Sequence, residues 1–305
     1  MTAPLSALNG SCTPLVVPLR EGAVDLDMYA GLVEFQVREG SHGIVVNGTT
    51  GEPTTLTIAE RTALVSTAVE AAAGRIPVYA ATGSQSLDDT LSLTRQAEDA
   101  GADALLVVTP YFIRPPQRGL VEYYARVGAA SGLPMMIYHI PGRAGVSMDH
   151  TTVAQIAERT PTLIGMKHAS LDLGYVTGLL QQMGPDFKVF VGLEEVSFPL
   201  LAIGACGLMN AVGNILPRRI ADLYEAAVAG DMELGRRLHD ELDELNRAVF
   251  WDTNPIPMKY LMKVMGLLAD NEHRLPMMRA EPALERRLDD LAERMGLTGS
   301  LAGAD

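Results

Sequence analysis

The sequence predicts an α/β protein, a (β/α)8 or TIM barrel carrying a C-terminal helical extension. Three observations carry that prediction. Eight short apolar runs recur between residues 13 and 209, each followed by a loop rich in Gly, Thr or Pro and then by a segment of helical period. The runs are continuous instead of alternating, the pattern of strands that helices cover and that are buried on both faces. No GxGxxG follows the first run and no GxxxxGK[ST] loop occurs, so the rival, a doubly wound nucleotide-binding sheet, lacks its signature.

In chain order the strands are expected at 13–18 (TPLVVP), 43–46 (GIVV), 78–81 (VYAA), 104–108 (ALLVV), 135–138 (MMIY), 163–167 (LIGMK), 189–191 (VFV) and 207–209 (GLM). Helices fit between them at 25–39, 57–73, 86–100, 119–131, 149–159 and 172–183. Residues 1–216 thus form the barrel, with its active site at the carboxyl ends of the strands. Residues 217–305 form the helical extension, punctuated by Pro255, Pro257 and Pro276, and about the last eight residues are expected to be flexible.

Composition narrows the function. With 48% hydrophobic and 20% charged residues the chain can build a large core, which excludes a disordered or collagen-like protein. Lys+Arg 24 against Asp+Glu 37 gives a net charge of -13, the wrong sign for nucleic acid or anionic lipid as partners. The first residues lack the basic-then-apolar pattern of a signal peptide, and the apolar runs are too short to span a bilayer, so a soluble cytoplasmic protein is expected. Cys12 and Cys206 read as reduced thiols, and the 15 methionines as core filler. The six histidines show no metal-ligand spacing, so no metal is expected.

The barrel rule directs the search to the strand ends. After the second strand, Asn47-Gly48-Thr49-Thr50-Gly51-Glu52 offers two hydroxyls and backbone N–H groups between glycines, which suits a small carboxylate or phosphate. An ordinary turn with Thr or Glu capping the next helix fits equally. After the fifth, Tyr138 and Arg143 bring a phenol that can pass a proton and a guanidinium that can grip a carboxylate. Either alone also reads as a satisfied core aromatic and a solvated loop cation.

The sixth run closes an apolar strand with Lys167. Of the four lysines, Lys188 precedes the seventh strand at the inert face, while Lys259 and Lys263 lie one turn apart on a late helix and read as solvated. A free lysine, with a pKa of about 10.4, is no nucleophile at neutral pH, but desolvation favours the neutral amine. Lys167 is therefore a candidate Schiff-base former, set against a lysine that snorkels to the rim or pairs with a carboxylate. Glu194-Glu195 reads as helix N-terminal charge, with acid/base work a minor role.

Gly48-Thr49-Thr50-Gly51-Glu52, Tyr138-x-x-Pro141 and Gly165-x-Lys167, in this order and spacing, closely resemble the dihydrodipicolinate synthase / N-acetylneuraminate lyase family of class I pyruvate-dependent aldolases. Thr109-Pro110-Tyr111, Gly74-Arg75-Ile76-Pro77-Val78 and Asn254-Pro255-Ile256-Pro257-Met258-Lys259 extend the resemblance over roughly residues 11–280.

The resemblance implies a homotetrameric enzyme that uses no cofactor and joins pyruvate to Lys167 as a covalent imine. The protonated imine acidifies the methyl carbon, and the resulting enamine attacks a small aldehyde, or in reverse a 2-oxo acid is split. Thr50 and Gly48 would hold the pyruvate carboxylate, Thr49 and Tyr138 would move protons, and Gly192 and Met209 would line the pocket. Arg143 matches the arginine that receives the carboxylate of aspartate semialdehyde, and with GTTGE it favours the synthase branch.

Three positions depart from that branch. Phe112 stands after Tyr111 where a second tyrosine, supplied across a subunit interface, normally relays a proton; His139 replaces Asn and His168 replaces Glu. Two imidazoles near the mouth would carry protons or recognise another acceptor, which favours a catabolic aldolase or hydratase-aldolase cleaving a 4-hydroxy-2-oxo acid. A barrel that binds pyruvate without turnover is the third reading. Ile58 and Arg61 stand where the family often places histidines that bind lysine, so weak or no lysine inhibition is expected.

Overall fold

A computed structural model describes residues 3–298. Eight parallel strands close into a barrel: β1 (Gly10–Pro14), β2 (Gly43–Val46), β3 (Val78–Ala81), β4 (Ala104–Val108), β5 (Met135–His139), β6 (Leu163–His168), β7 (Lys188–Val191) and β8 (Gly207–Leu208). β8 pairs back to β1, so no edge is left open. Between the strands run α1 (Leu26–Arg38), α2 (Ile58–Ala72), α3 (Leu87–Asp99), α4 (Gln117–Gly128), a short α5 (Pro141–Ala144), α6 (His150–Arg159), α7 (Leu173–Met183) and α8 (Ser197–Ala202). This is the (β/α)8 barrel. Helices α9 (Pro217–Val228), α10 (Met232–Ala248), α11 (Ile256–Val264) and α12 (Pro282–Arg294) form the C-terminal helical part. The expected flexible end falls almost wholly on residues 299–305, outside the described residues.

Local chemistry starts the helices where they are needed. Asp25, Thr57, Ser86, Asp149 and Asp172 each accept the backbone N–H three residues on, at the heads of α1, α2, α3, α6 and α7. Each cap contributes about 1 kcal/mol. Thr57 adds the reciprocal bond from its own N–H to the Glu60 carboxylate, at 2.8 Å.

Alternation along the strands builds two cores. Val45, Tyr79, Leu106, Met136, Tyr138 and Phe190 point into the barrel. Their neighbours Ile44, Val46, Leu105, Val107, Ile137 and Met166 point outward and pack beneath the helices. Because the period is two, the parity of a residue decides whether it reaches the barrel interior or the helix layer.

The first strand lies upstream of its expected position. The pairing segment is Gly10–Pro14, and the apolar residues that follow leave the barrel. Leu15 N–H still reaches the Val45 carbonyl at 3.0 Å, but Val16 N–H is taken by the Asn214 side chain at 3.2 Å, and Asn214 Nδ2 holds the Pro14 carbonyl at 2.8 Å. Leu15, Val16 and Val17 are then buried in the outer core.

Lys259, expected to be solvated, is wholly buried. Its ammonium donates to Glu52 Oε1 at 3.2 Å and to the Glu272 carbonyl, and His273 Nδ1 lies 2.9 Å from Glu52 Oε2. A buried carboxylate needs such partners, and Glu52, directly after the Thr49–Gly51 turn, supplies the reason for the lysine's burial. Lys263 is exposed, as expected.

Candidate active site

At the carboxyl end of the barrel two adjoining cavities share Thr49, Tyr138, Ile140, Arg143 and Asn254. The inner chamber, of about 50 Å³, holds Lys167 with Thr50, Gly192, Glu194 and Met209. The outer cavity, of about 230 Å³, is bordered by Gly48, Arg61, Tyr111 and Met277. Nine positions singled out from the sequence thus converge here: Gly48, Thr49, Thr50, Tyr111, Tyr138, Arg143, Lys167, Gly192 and Met209.

β5 and β6 pair with Tyr138 opposite Lys167, so both side chains project inward together. Lys167 is 4% exposed and its Nζ lies 4.3 Å from the centre of the Tyr138 ring. It forms no ion pair among the described residues, which removes the paired-lysine alternative. Gly192 makes room for it: a Cβ there would stand 2.8 Å from Lys167 Cε and 3.0 Å from Ala169 Cβ. A side chain at that position would displace the stem of the lysine.

The Thr49–Gly51 turn brings its hydroxyls to the same end. Thr49 Oγ1 and the Tyr138 hydroxyl are 3.1 Å apart, a distance that lets a proton pass between them. Thr50 Oγ1 accepts from Asn254 Nδ2 at 3.1 Å, so the C-terminal segment orients the hydroxyl and leaves its hydrogen free to donate. Arg143, exposed on α5, has no carboxylate partner among the described residues; Nη2 touches only the Asn254 carbonyl, at 3.5 Å. A free guanidinium at the rim can receive a carboxylate.

Glu194 and Glu195 open a helical turn, Glu194–Val196, as the sequence predicts, but Glu194 is also 1% exposed and lines the Lys167 chamber, while Glu195 beside it is exposed. Oε1 accepts the Ala211 and Val212 N–H groups at 2.5 and 3.4 Å, and Oε2 has no partner. Burial pushes its carboxyl up to about 7, against the pull of the backbone N–H groups and of Lys167. Its place three residues after the end of β7 was the available sequence signal. Asn254, which sequence reasoning places only in a family motif, lines both cavities.

His139 and His168 do not face the mouth. They follow Tyr138 and Lys167 directly, so alternation turns them outward into the helix layer, where both stack on Tyr175. Met148 N–H donates to His139 Nε2 at 3.1 Å, which places the His139 proton on Nδ1, donating to His168 Nδ1 at 3.1 Å. Burial pulls His139 down to about 3 and His168 to about 4, so both stay neutral near pH 7, each with a single ring N–H. Phe112 is 90% exposed, at φ 72°, and borders neither cavity of its own chain, as a side chain offered across a subunit interface would.

Among the described residues no cluster of three or more His, Cys, Asp or Glu is placed to hold a metal, and no helix is long and apolar enough to cross a membrane.

Residues 7–295 match the profile of the Dihydrodipicolinate synthetase family. Among curated relatives, 4-hydroxy-tetrahydrodipicolinate synthase of Thermus thermophilus is 45% identical over 95% of this chain and 97% of its own length. The synthase of Oleidesulfovibrio alaskensis is 38% identical over 95% and 99%. Of solved structures, dihydrodipicolinate synthase from Aquifex aeolicus superposes with a TM-score of 0.94 at 34% identity, covering 95% of this chain and 99% of that one. The chloride-inhibited synthase of Acinetobacter baumannii, solved in complex with pyruvate, gives 0.92 at 33% identity, covering 95% and 99%.

Proposed function

The chain belongs to the dihydrodipicolinate synthetase family, and from that premise we propose that it condenses pyruvate with aspartate semialdehyde through an imine on Lys167, the reaction of a 4-hydroxy-tetrahydrodipicolinate synthase. The observation that carries the reading is the buried, unpaired Lys167 beneath the Tyr138 ring, with the Thr49 hydroxyl bonded to the phenol.

Lys167, as the neutral amine, attacks the ketone carbon of pyruvate. Thr50 and the N–H groups of the Gly48–Thr50 turn hold the pyruvate carboxylate, which fixes the methyl group on one side of the chamber. Tyr138 passes protons between the reacting atoms and Thr49, whose hydroxyl faces the outer cavity bordered by Tyr111. The iminium withdraws electrons from the methyl carbon, and loss of a methyl proton gives the enamine. The enamine carbon then attacks the aldehyde carbon of aspartate semialdehyde, and Arg143 receives that substrate's carboxylate at the rim. The chemistry calls for no metal and no cofactor beyond the imine itself. A cytoplasmic homotetramer is part of the same reading.

Two of the three residues that supported the catabolic alternative, His139 and His168, border neither cavity. The test is twofold. Borohydride reduction in the presence of pyruvate, followed by peptide mapping, is expected to leave a stable adduct on Lys167. Then kcat/KM for aspartate semialdehyde with pyruvate is expected to exceed that for a panel of 4-hydroxy-2-oxo acids. No adduct in folded protein would remove the Lys167 mechanism, and a preferred 4-hydroxy-2-oxo acid would remove the synthase assignment.

A further inference from the structure

The mechanism above leaves one buried acid without a task. Glu194 sits in the same chamber as Lys167, fastened at Oε1 by two backbone N–H groups while Oε2 faces no hydrogen-bond partner. The groups around it are few. β6 supplies Lys167, β5 the Tyr138 phenol and α5 the Arg143 guanidinium; the 211–214 turn offers only backbone N–H, and Phe250 and Asn254 from the C-terminal part are uncharged. Among the described residues Glu194 is the one carboxyl that borders the chamber. It forms no ion pair with Lys167 within 4 Å, so a water or the substrate's departing hydroxyl would bridge them.

We propose that Glu194 and Lys167 share one proton, which Glu194 holds while Lys167 attacks pyruvate and gives up as water leaves. The proposal rests on the Lys167 imine reading. The balance is complete within the chamber. Transfer from –NH3+ to –COO⁻ gives –NH2 and –COOH. The amine lone pair forms the C–N bond as the carbonyl π pair moves to oxygen, and one nitrogen proton follows to give the carbinolamine. The C–O bond then breaks, the hydroxyl leaves with the Glu194 proton as water, and the nitrogen lone pair closes the C=N bond. One amine, one ketone and one carboxylic acid become one iminium, one carboxylate and one water, with no proton exchanged with solvent. The carboxylate that remains is a counter-charge for the iminium within the chamber. A Glu194 carboxyl titrating near neutral pH is suited to both halves of that exchange.

The test is the rate of imine formation, read by rapid quench with borohydride and intact mass, between pH 6 and 9 in the full-length protein. Glu194→Gln keeps the acceptor for Ala211 N–H but has no proton to exchange. Its rate at pH 7 is expected to fall about 10²-fold, with the deficit shrinking as pH rises and solvent takes the lysine proton instead. Glu194→Asp keeps a carboxyl and is expected to stay within about ten-fold of the unmodified rate at pH 7. An unchanged or faster rate in Glu194→Gln would overturn the proposal, because the residue would then be inert or would only hold the lysine protonated. A deficit of the same size at every pH would overturn it too, as the mark of a structural role. If Glu194→Gln does not fold, Glu194→Asp decides: a rate that climbs about ten-fold per pH unit from 6 to 8, as for an amine that must lose its proton to solvent, would overturn the proposal. Absence of any adduct in the unmodified protein would instead overturn the imine reading, and this inference with it.

Discussion

Replacing Lys259 by Met is expected to destabilise the protein by about 3 kcal/mol. The side chain is wholly buried, and Met fills nearly the same volume, so little of the loss comes from a cavity. What is lost is the cation facing Glu52 Oε1 at 3.2 Å and the donor to the Glu272 carbonyl. Breaking a buried pair from one side costs about 3–5 kcal/mol, and the lower end applies because His273 still bonds Glu52 Oε2 at 2.9 Å. Burial pushes the Glu52 carboxyl up, but His273 and Lys259 together outweigh it and hold the carboxyl below its usual range. That depressed folded value means its contribution is fully present above the unfolded glutamate pKa of about 4.3 and is lost as pH falls through the lower folded one. Without Lys259 the loss should begin at higher pH. The assay is urea unfolding at pH 7 and at pH 5 for Lys259→Met and for the double variant Glu52→Gln/Lys259→Met. The double variant should recover part of the loss, since no buried charge is left alone. A Lys259→Met loss below about 1 kcal/mol would show that the pair is not desolvated as the structure has it.

Gly192→Ala should slow formation of the pyruvate adduct while costing about 1–3 kcal/mol of stability, because the new Cβ would stand 2.8 Å from Lys167 Cε and push the nucleophile aside; normal adduct kinetics would contradict the packing argument. Arg143→Ala should raise KM for aspartate semialdehyde by more than ten-fold, in the range of a lost charge-assisted bond of about 1.5–3 kcal/mol, and leave KM for pyruvate nearly unchanged; equal effects on both would take Arg143 out of the acceptor site. Free lysine should not inhibit at micromolar concentration, since Ile58 and Arg61 stand where the family often places histidines, and the Arg61 guanidinium is buried with Nη2 on the Ala81 carbonyl; a micromolar inhibition constant in a steady-state assay would refute this.

Strands were legible where side-chain chemistry repeats what the fold needs. The runs at 43–46, 78–81 and 104–108 are strands with those bounds, because each is a β-prone apolar run that both barrel faces bury. The first strand was not, because GSCTP holds a glycine, two hydroxyls and a proline while the apolar LVV beside it belongs to the outer core. The candidates at strand ends follow from position together with the family motif, and position misplaces His139 and His168. Parity contained the answer: if Tyr138 and Lys167 point inward, the next residue on each strand cannot. Glu52 and Lys259 are 207 positions apart, and Lys259 shares one helix face spacing with the exposed Lys263, so nothing local marks one as buried and the other as solvated.

Distance in sequence also hid how the site is completed. The barrel strands deliver Lys167 and Tyr138, but the loop that carries Thr49 and Thr50 is fastened by residues that follow the last strand: Asn254 on the Thr50 hydroxyl, and Lys259 and His273 on Glu52. Arg274 continues the seam onto Glu60 at the head of α2 and onto the Gly22 carbonyl. Each of these bonds crosses more than 200 positions and, apart from the one to Gly22, ends on the loop or helix next to the catalytic hydroxyls. Precise placement of two threonines within hydrogen-bond reach of a substrate carboxylate and a phenol requires rigid support, since a displacement of about 1 Å can cost about 10²-fold in rate. The C-terminal part supplies that support, so its buried polar residues belong to the construction of the active site even though none of the covalent chemistry is theirs.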